Sequence, residues 1–286
     1  MTMAAQVLVE VLTPERLTAV VDIGANPIDG DPPYKAMLDA GLCTVTGFEP
    51  QADARAELLR AAGPHETYLA DAVGDGDEHD LHVTVASGMT SLFPPDPARL
   101  AFFNGFPEWG TVKEVVPIAT RRLDDIAEVD AIDLLKIDIQ GGELMVVQHG
   151  RRALARAVVI HAEVSFVPLY VGQPAFGELD VELRSQGFLP HAIDALKLWP
   201  IAPVVYDGDF RKPMRQVLEA DVVYVRDPTR ADAMDAAQLA HLSLLAHCVY
   251  GSTDLVHWCL AELVRRGAAP PSGPEAYLRA AHGGGA

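Results

Sequence analysis

Val20-Val21-Asp22-Ile23-Gly24-Ala25-Asn26, followed after a short polar and helical stretch by Gly47-Phe48-Glu49-Pro50, decides how this chain folds. An apolar run enters a Gly/Asn turn, a helix follows, and a second apolar run ends in a carboxylate. A parallel sheet prepares a nucleoside site with these parts. The glycine lets a ligand approach the backbone, the first N–H groups of the helix face its polar end, and the second-strand carboxylate accepts the two ribose hydroxyls. A dinucleotide would want G-x-G-x-x-G, which brings a pyrophosphate onto the helix start. Only Gly24 is present here, with Asn26, Pro27 and Ile28 where further glycines would stand. The pattern suits a nucleoside cofactor without a pyrophosphate, and S-adenosylmethionine is the obvious candidate.

Outward from this point, apolar runs alternate with helical patterns, which predicts an α/β fold with a mostly parallel, doubly wound sheet. Strands are expected over 19–23, 43–48, 67–73, 81–86, 113–119, 132–139, 157–164, 188–193 and 220–226. Helices are expected over 33–40, 51–62, 98–103, 142–150 and 175–186, with two more beyond 230. Residues 88–112 break the alternation with Phe93, Phe102, Phe103, Phe106 and Trp109 among several prolines. Such an insertion is either a lid over an acceptor or a small satellite core under a long loop. A second break follows Asp227-Pro228. It divides the chain into a main domain at 1–228 and, at 229–286, a helical hairpin turning at Tyr250-Gly251-Ser252-Thr253 with a mobile glycine- and proline-rich end.

The net charge of −18 makes nucleic acid an unsuitable partner, because phosphate backbones are repelled. No apolar run reaches the roughly 18–20 residues of a membrane span. Met1 to Val11 carries no Lys or Arg and does not read as a signal peptide. Cys43, Cys248 and Cys259 are odd in number, far apart and unpaired with histidines, as expected of reduced thiols in a cytoplasmic protein without structural zinc. The C-terminal helices offer a surface for a homo-oligomer.

Four groups of residues carry candidate chemistry. Asp22 at the end of the first strand would bond a cofactor amine or hold the glycine turn, and Gly24 and Asn26 would let the cofactor approach, although Gly24 alone also serves any turn. Glu49 is placed to accept the ribose diol and Pro50 to pack on the adenine; the plainer role for Glu49 is a helix cap. Asp71 and the Ala72 N–H stand where a third strand would end beside the adenine, or merely begin an acidic turn.

The fourth group lies on two later strands. Leu134-Leu135-Lys136-Ile137-Asp138-Ile139-Gln140-Gly141-Gly142-Glu143 places two charges at alternate positions of a strand that should be uniformly apolar. Burial of such charges costs several kcal/mol each, roughly, unless they are paired or wet. His161 and Glu163 alternate onto one face of the following strand, where a histidine can act as general base with a carboxylate beside it. Asp138, His161 and Glu163 are therefore the candidate catalytic set. Asp138, Glu143 and Glu163 would equally suit Mg²⁺, but no ligand spacing demands it and no metal is expected.

Taken together, Val21-Asp22-Ile23-Gly24-Ala25-Asn26, Phe48-Glu49-Pro50, Thr90-Ser91-Leu92, Arg122-Leu123-Asp124-Asp125-Ile126 and the Leu135–Glu143 block resemble the FkbM family of S-adenosylmethionine-dependent methyltransferases over roughly 19–226. Gln140 stands where that family usually has Glu, and Pro27-Ile28 where it usually has Ile-Gly. The resemblance implies a Rossmann-like seven-stranded methyltransferase sheet, mostly parallel with the last strand antiparallel, and the cofactor over the ends of the first strands. It implies O-methylation of a hydroxyl on a small molecule or saccharide acceptor, with Asp138 near the transferred methyl. Two other classes stay open: a non-catalytic nucleoside-binding scaffold with a decayed site, and an NAD(P)-dependent oxidoreductase.

Overall fold

The computed structural model describes residues 1–26 and 30–283; Pro27-Ile28 and the last three residues of the glycine-rich end lie outside them. The two apolar runs flanking the Gly24 turn form neighbouring parallel strands, β1 (Thr18–Ile23) and β2 (Cys43–Phe48), with Ile23 opposite Phe48. Ahead of them lies α1 (Met3–Leu12), and between them α2 (Lys35–Asp39). The chain continues through α3 (Ala52–Ala61) into β3 (Glu66–Leu69), β4 (Ala72–Gly74) and β5 (Glu78–Thr84). Two short turns of helix, α4 (Pro97–Leu100) and α5 (Phe106–Trp109), precede β6 (Val112–Arg122). Then come β7 (Leu134–Ile137), α6 (Glu143–Gln148), β8 (Val159–Ser165), α7 (Phe176–Ser185), β9 (Phe188–Leu198) and β10 (Val217–Arg226). Three helices close the chain, α8 (Ala236–Cys248), α9 (Thr253–Arg265) and α10 (Gly273–His282).

Seven strands make one sheet in the order β3-β2-β1-β7-β8-β10-β9. It is parallel from β3 to β8, while β10 runs antiparallel to both β8 and β9. This is the expected doubly wound sheet with its last strand reversed, and its order turns at β1, where β1 stands between β2 and β7. Ligand crevices in such sheets form at that point, outside the carboxyl ends of the strands.

Alternating side chains send each strand's apolar residues to two separate cores. Val21, Ile23, Leu135, Ile137, Ile160 and Ala162 pack under α6 and α7. Val20, Leu134, Val159 and Val223 pack against α1, α8, α9 and α10. Each fully buried Leu, Ile or Val contributes roughly 1.5–3 kcal/mol, so both faces of the sheet are strongly held. Together with α1, the helices beyond residue 229 thus pack over the central strands on one face of the sheet and share its core.

Several expectations need correction. The strand expected over 67–73 is two strands: the chain leaves the main sheet after Leu69, and β4 joins a second sheet in the order β4-β6-β5. The strands expected near 81–86 and 113–119 belong to that second sheet. The mobile end expected after Gly267 contains α10, whose Tyr277 is buried in the helical core. The α1 helix was missed because its valines favour strands; the Thr2 side chain accepts the Ala5 N–H at 3.1 Å, and Ala4, Ala5, Leu8 and Leu12 are buried at helical spacing. Of the two roles foreseen for residues 88–112, the satellite core is the one found. They form a satellite core of Met89, Leu100, Phe103 and Phe106 with Leu169, Tyr170 and Leu218, and that core also walls the cleft described next.

Candidate active site

The turn after β1 is held so tightly that only glycine fits. Gly24 has φ +82°, and a Cβ there would stand 2.0 Å from the Asp138 carbonyl oxygen. This close approach joins the ends of β1 and β7 and leaves the space beyond them open. A cleft of about 530 Å³ occupies it, within the range typical of small-molecule sites. Gly24, Asn26, Glu49, Pro50, Asp71 and Ala72 line it, and so do Asp138, Gln140, Lys197 and Glu219.

Glu49 is only 3% exposed. Its Oε1 accepts the Gln51 N–H at 2.7 Å, and Arg55 fixes the turn by donating to the carbonyls of Glu49 and Pro50 at 2.8 and 3.1 Å. Among the described residues no donor meets Oε2. Burial pushes the Glu49 carboxyl upward, opposed by the Gln51 bond and the Arg55 charge. A buried carboxylate with one engaged and one open oxygen, bordering the cleft beside a glycine turn, is a suitable acceptor for a ribose diol. Asp71 is anchored by Arg121, 3.1 Å away.

The opposite face of the same strands is closed. Asp22, Lys136 and His161 sit side by side on β1, β7 and β8 in register. Tyr34 donates to Asp22 Oδ2 at 2.6 Å, and Lys136 Nζ lies 3.5 Å from Oδ1 and 3.3 Å from the Gly24 carbonyl. Burial alone would lower the Lys136 pKa, but Asp22, Asp138 and Asp221 raise it overall. Asp22 is 2% exposed and does not line the cleft; it ties β1 to β7 beneath it. His161 is 4% exposed and likewise absent from the lining. Its ring stacks on Tyr250, in the turn between α8 and α9, with Nδ1 3.4 Å from the phenol oxygen. Burial pulls its pKa down to about 4, so it is neutral near pH 7. The general base expected at His161 is therefore not brought to the cleft, because the helical layer covers that point of β8.

The end of β7 gathers the acids. Oxygens of Asp138, Glu143 and Glu163 lie within 4.8 Å of one another. Glu143 reaches back to accept the N–H groups of Ile139 at 2.9 Å and Gly141 at 3.0 Å, and burial raises its pKa to about 7. Burial, then the charges of Asp138 and Glu219, push Glu163 well above the ordinary carboxylate range. Lys197 pairs with Glu219 across β9 and β10 and comes within 4.0 Å of Glu163. The cleft is also lined by an aromatic group in which Phe106 and Trp199 meet edge-on at 5.1 Å and Trp109 and Trp199 at 5.8 Å.

Gly24, Asn26, Glu49, Pro50, Asp71, Ala72 and Asp138 thus share one cleft, with Glu163 beside Asp138 but behind the lining. Lys197, Glu219 and Trp199 were not singled out as site residues, whereas Trp109 belongs to the 88–112 insertion for which an acceptor lid was one of two expected roles. β9 was expected to end at Ile193, because its outer half is exposed and carries no alternating pattern; the structure extends it to Leu198, opposite the start of β10.

Residues 22–190, well over half of the chain, match the FkbM methyltransferase domain. The 2-O-methyltransferase NoeI of Sinorhizobium fredii (strain NBRC 101917 / NGR234) is 29% identical over 162 residues, which span 54% of this chain and 66% of that protein, just under two thirds of its length. Among solved structures, a TehB-like SAM-dependent methyltransferase from Corynebacterium glutamicum is similar at 12% identity and TM-score 0.35, over 79% of this chain and 89% of that one. Magnesium protoporphyrin IX methyltransferase from Synechocystis PCC 6803, solved with bound SAM, is similar at 11% identity and TM-score 0.36, over 78% of this chain and 76% of that one. Likenesses this distant leave the fold to rest on the strand order itself.

Proposed function

We propose, from the premise that this chain belongs to the FkbM methyltransferase family and has S-adenosylmethionine as its cofactor, that it methylates a hydroxyl group on a small molecule or saccharide. The observation that carries the reading is one open cleft lined by both Glu49 and Asp138. Glu49 would hold the ribose, Asp71 and Ala72 the adenine edge, and Pro50 its face. Gly24 and Asn26 would meet the methionine portion. When bound, the cofactor supplies a methyl group on a sulfonium.

The chain's own contribution is position and proton handling. Alignment of acceptor and methyl can account for much of the acceleration, and the Phe106–Trp109–Trp199 wall would keep water from the acceptor while packing on its apolar face. Asp138, at the end of β7, is the group placed to take the hydroxyl proton, with Glu163 beside it. An open cleft edged by Asp138 favours an enzyme over a scaffold with a decayed site. The name of the NoeI relative supports oxygen as the methylated atom.

Two linked measurements test this. Calorimetry with S-adenosylhomocysteine should give one binding event per chain. Labelled methyl from S-adenosylmethionine should then appear on a hydroxyl when sugars and hydroxylated aromatics are offered. Absence of binding would end the reading, and label found only on amines would remove its hydroxyl part.

A further inference from the structure

We propose that Gln140 is a positioning residue whose side-chain amide holds Asp138 and Glu163 together in place of a divalent cation. The claim rests on the methyl-transfer reading only for what Asp138 then does. Three carboxylates with oxygens inside 4.8 Å of one another cannot persist in a buried site unanswered; cations, protons or hydrogen-bond donors must meet them. Backbone N–H groups of Ile139 and Gly141 answer Glu143. One primary amide answers the other two. Gln140 Nε2 donates to Asp138 Oδ1 at 3.0 Å and to Glu163 Oε2 at 3.0 Å, so each of its two protons lies on a different carboxylate.

The amide's orientation follows from its surroundings. The reverse orientation would set the carbonyl oxygen against two acids. In the orientation found, Oε1 lies 3.3 Å from the Tyr170 hydroxyl, which also stands 3.1 Å from the Met89 carbonyl and has one proton to give. The backbone is committed as well. Gln140 has φ +57° and is followed by Gly141 at +111°, a conformation that ordinary side chains rarely adopt. Ser91 Oγ holds it there by donating to the Gln140 carbonyl at 2.6 Å. Lys197 approaches Glu163 from the side of Glu219, and Lys136 is committed to Asp22. One oxygen of Asp138 and one of Glu163 are thus taken by the amide, and Asp138 is fixed for an acceptor in the cleft.

Manganese alone tests this without knowledge of the acceptor. Electron paramagnetic resonance of free aqueous Mn²⁺ would be recorded with wild type, Gln140→Glu, and Gln140→Glu combined with Glu163→Gln. S-Adenosylhomocysteine affinity would be measured on each sample as a check on fold and cofactor site. Wild type should leave the Mn²⁺ signal unchanged. Gln140→Glu, which exchanges the donor for another carboxylate of equal length, should bind one Mn²⁺, and the double variant should release it. Wild type that binds one Mn²⁺ as tightly as Gln140→Glu does would overturn the proposal. So would a Gln140→Glu protein with wild-type S-adenosylhomocysteine affinity that binds no Mn²⁺. If the glutamate variant fails to fold, Gln140→Ala, which removes the donor and opens its space, is read against the same two outcomes. Failure of wild type to bind the cofactor would count against the methyltransferase reading and leave the Mn²⁺ comparison intact.

Discussion

Asp22 and Glu49 end neighbouring strands, both almost fully buried, yet they belong to different parts of the machine. Asp22 is met by Lys136 and Tyr34 on the face closed by the helical layer. Glu49 engages one oxygen with Gln51 and turns to the cleft. The same split separates His161, covered by Tyr250, from Asp138, which stands past the end of β7. A charge that interrupts an apolar strand marks a place where the fold must answer it. What answers it decides whether the residue is architecture or site.

The largest break in this contrast is at the turn joining the two regions. Gly24→Ala should lose on the order of 5 kcal/mol of stability, because the new Cβ meets the Asp138 carbonyl and the positive φ is strained. Urea unfolding would show it, and cofactor binding should vanish with it. Next, Asp22→Asn should cost about 4 kcal/mol by stranding the Lys136 charge in a buried place. The folded variant should still bind S-adenosylhomocysteine as wild type does. Glu143 then sharpens the contrast, being architecture at the edge of the site. Its folded pKa of about 7 is raised from 4.5, so its stabilising contribution is full below about pH 4.5 and lost as pH rises through 7. Glu143→Gln removes that loss. Relative to wild type it should gain up to about 3 kcal/mol between pH 4.5 and 8, at about 1.36 kcal/mol per pKa unit, by urea unfolding at both ends.

The sheet, the glycine turn and the acids at the end of β7 were legible in the chain because they are local. Apolar runs of strand length, one glycine at a strand end and charges inside such a run each leave a mark within a few residues. Alternation put Lys136 with Asp138, and His161 with Glu163, on one face of their strands. It did not reveal what covers that face. His161 is closed off by Tyr250, 89 residues further along, and by α8 and α9. Lys197 and Glu219 meet across an antiparallel pair whose outer strand is mostly exposed, so no buried pattern announced it. Residues 67–73 read as one strand because composition does not record a change of sheet.

Side-by-side calorimetry with S-adenosylhomocysteine on wild type, Asp22→Asn and Glu49→Ala tests the division most directly. Loss of a charged hydrogen-bond acceptor is worth about 2 kcal/mol, so Glu49→Ala should bind roughly 30-fold more weakly while Asp22→Asn keeps wild-type affinity. Equal affinity in wild type and Glu49→Ala, with binding lost in folded Asp22→Asn, would contradict the account.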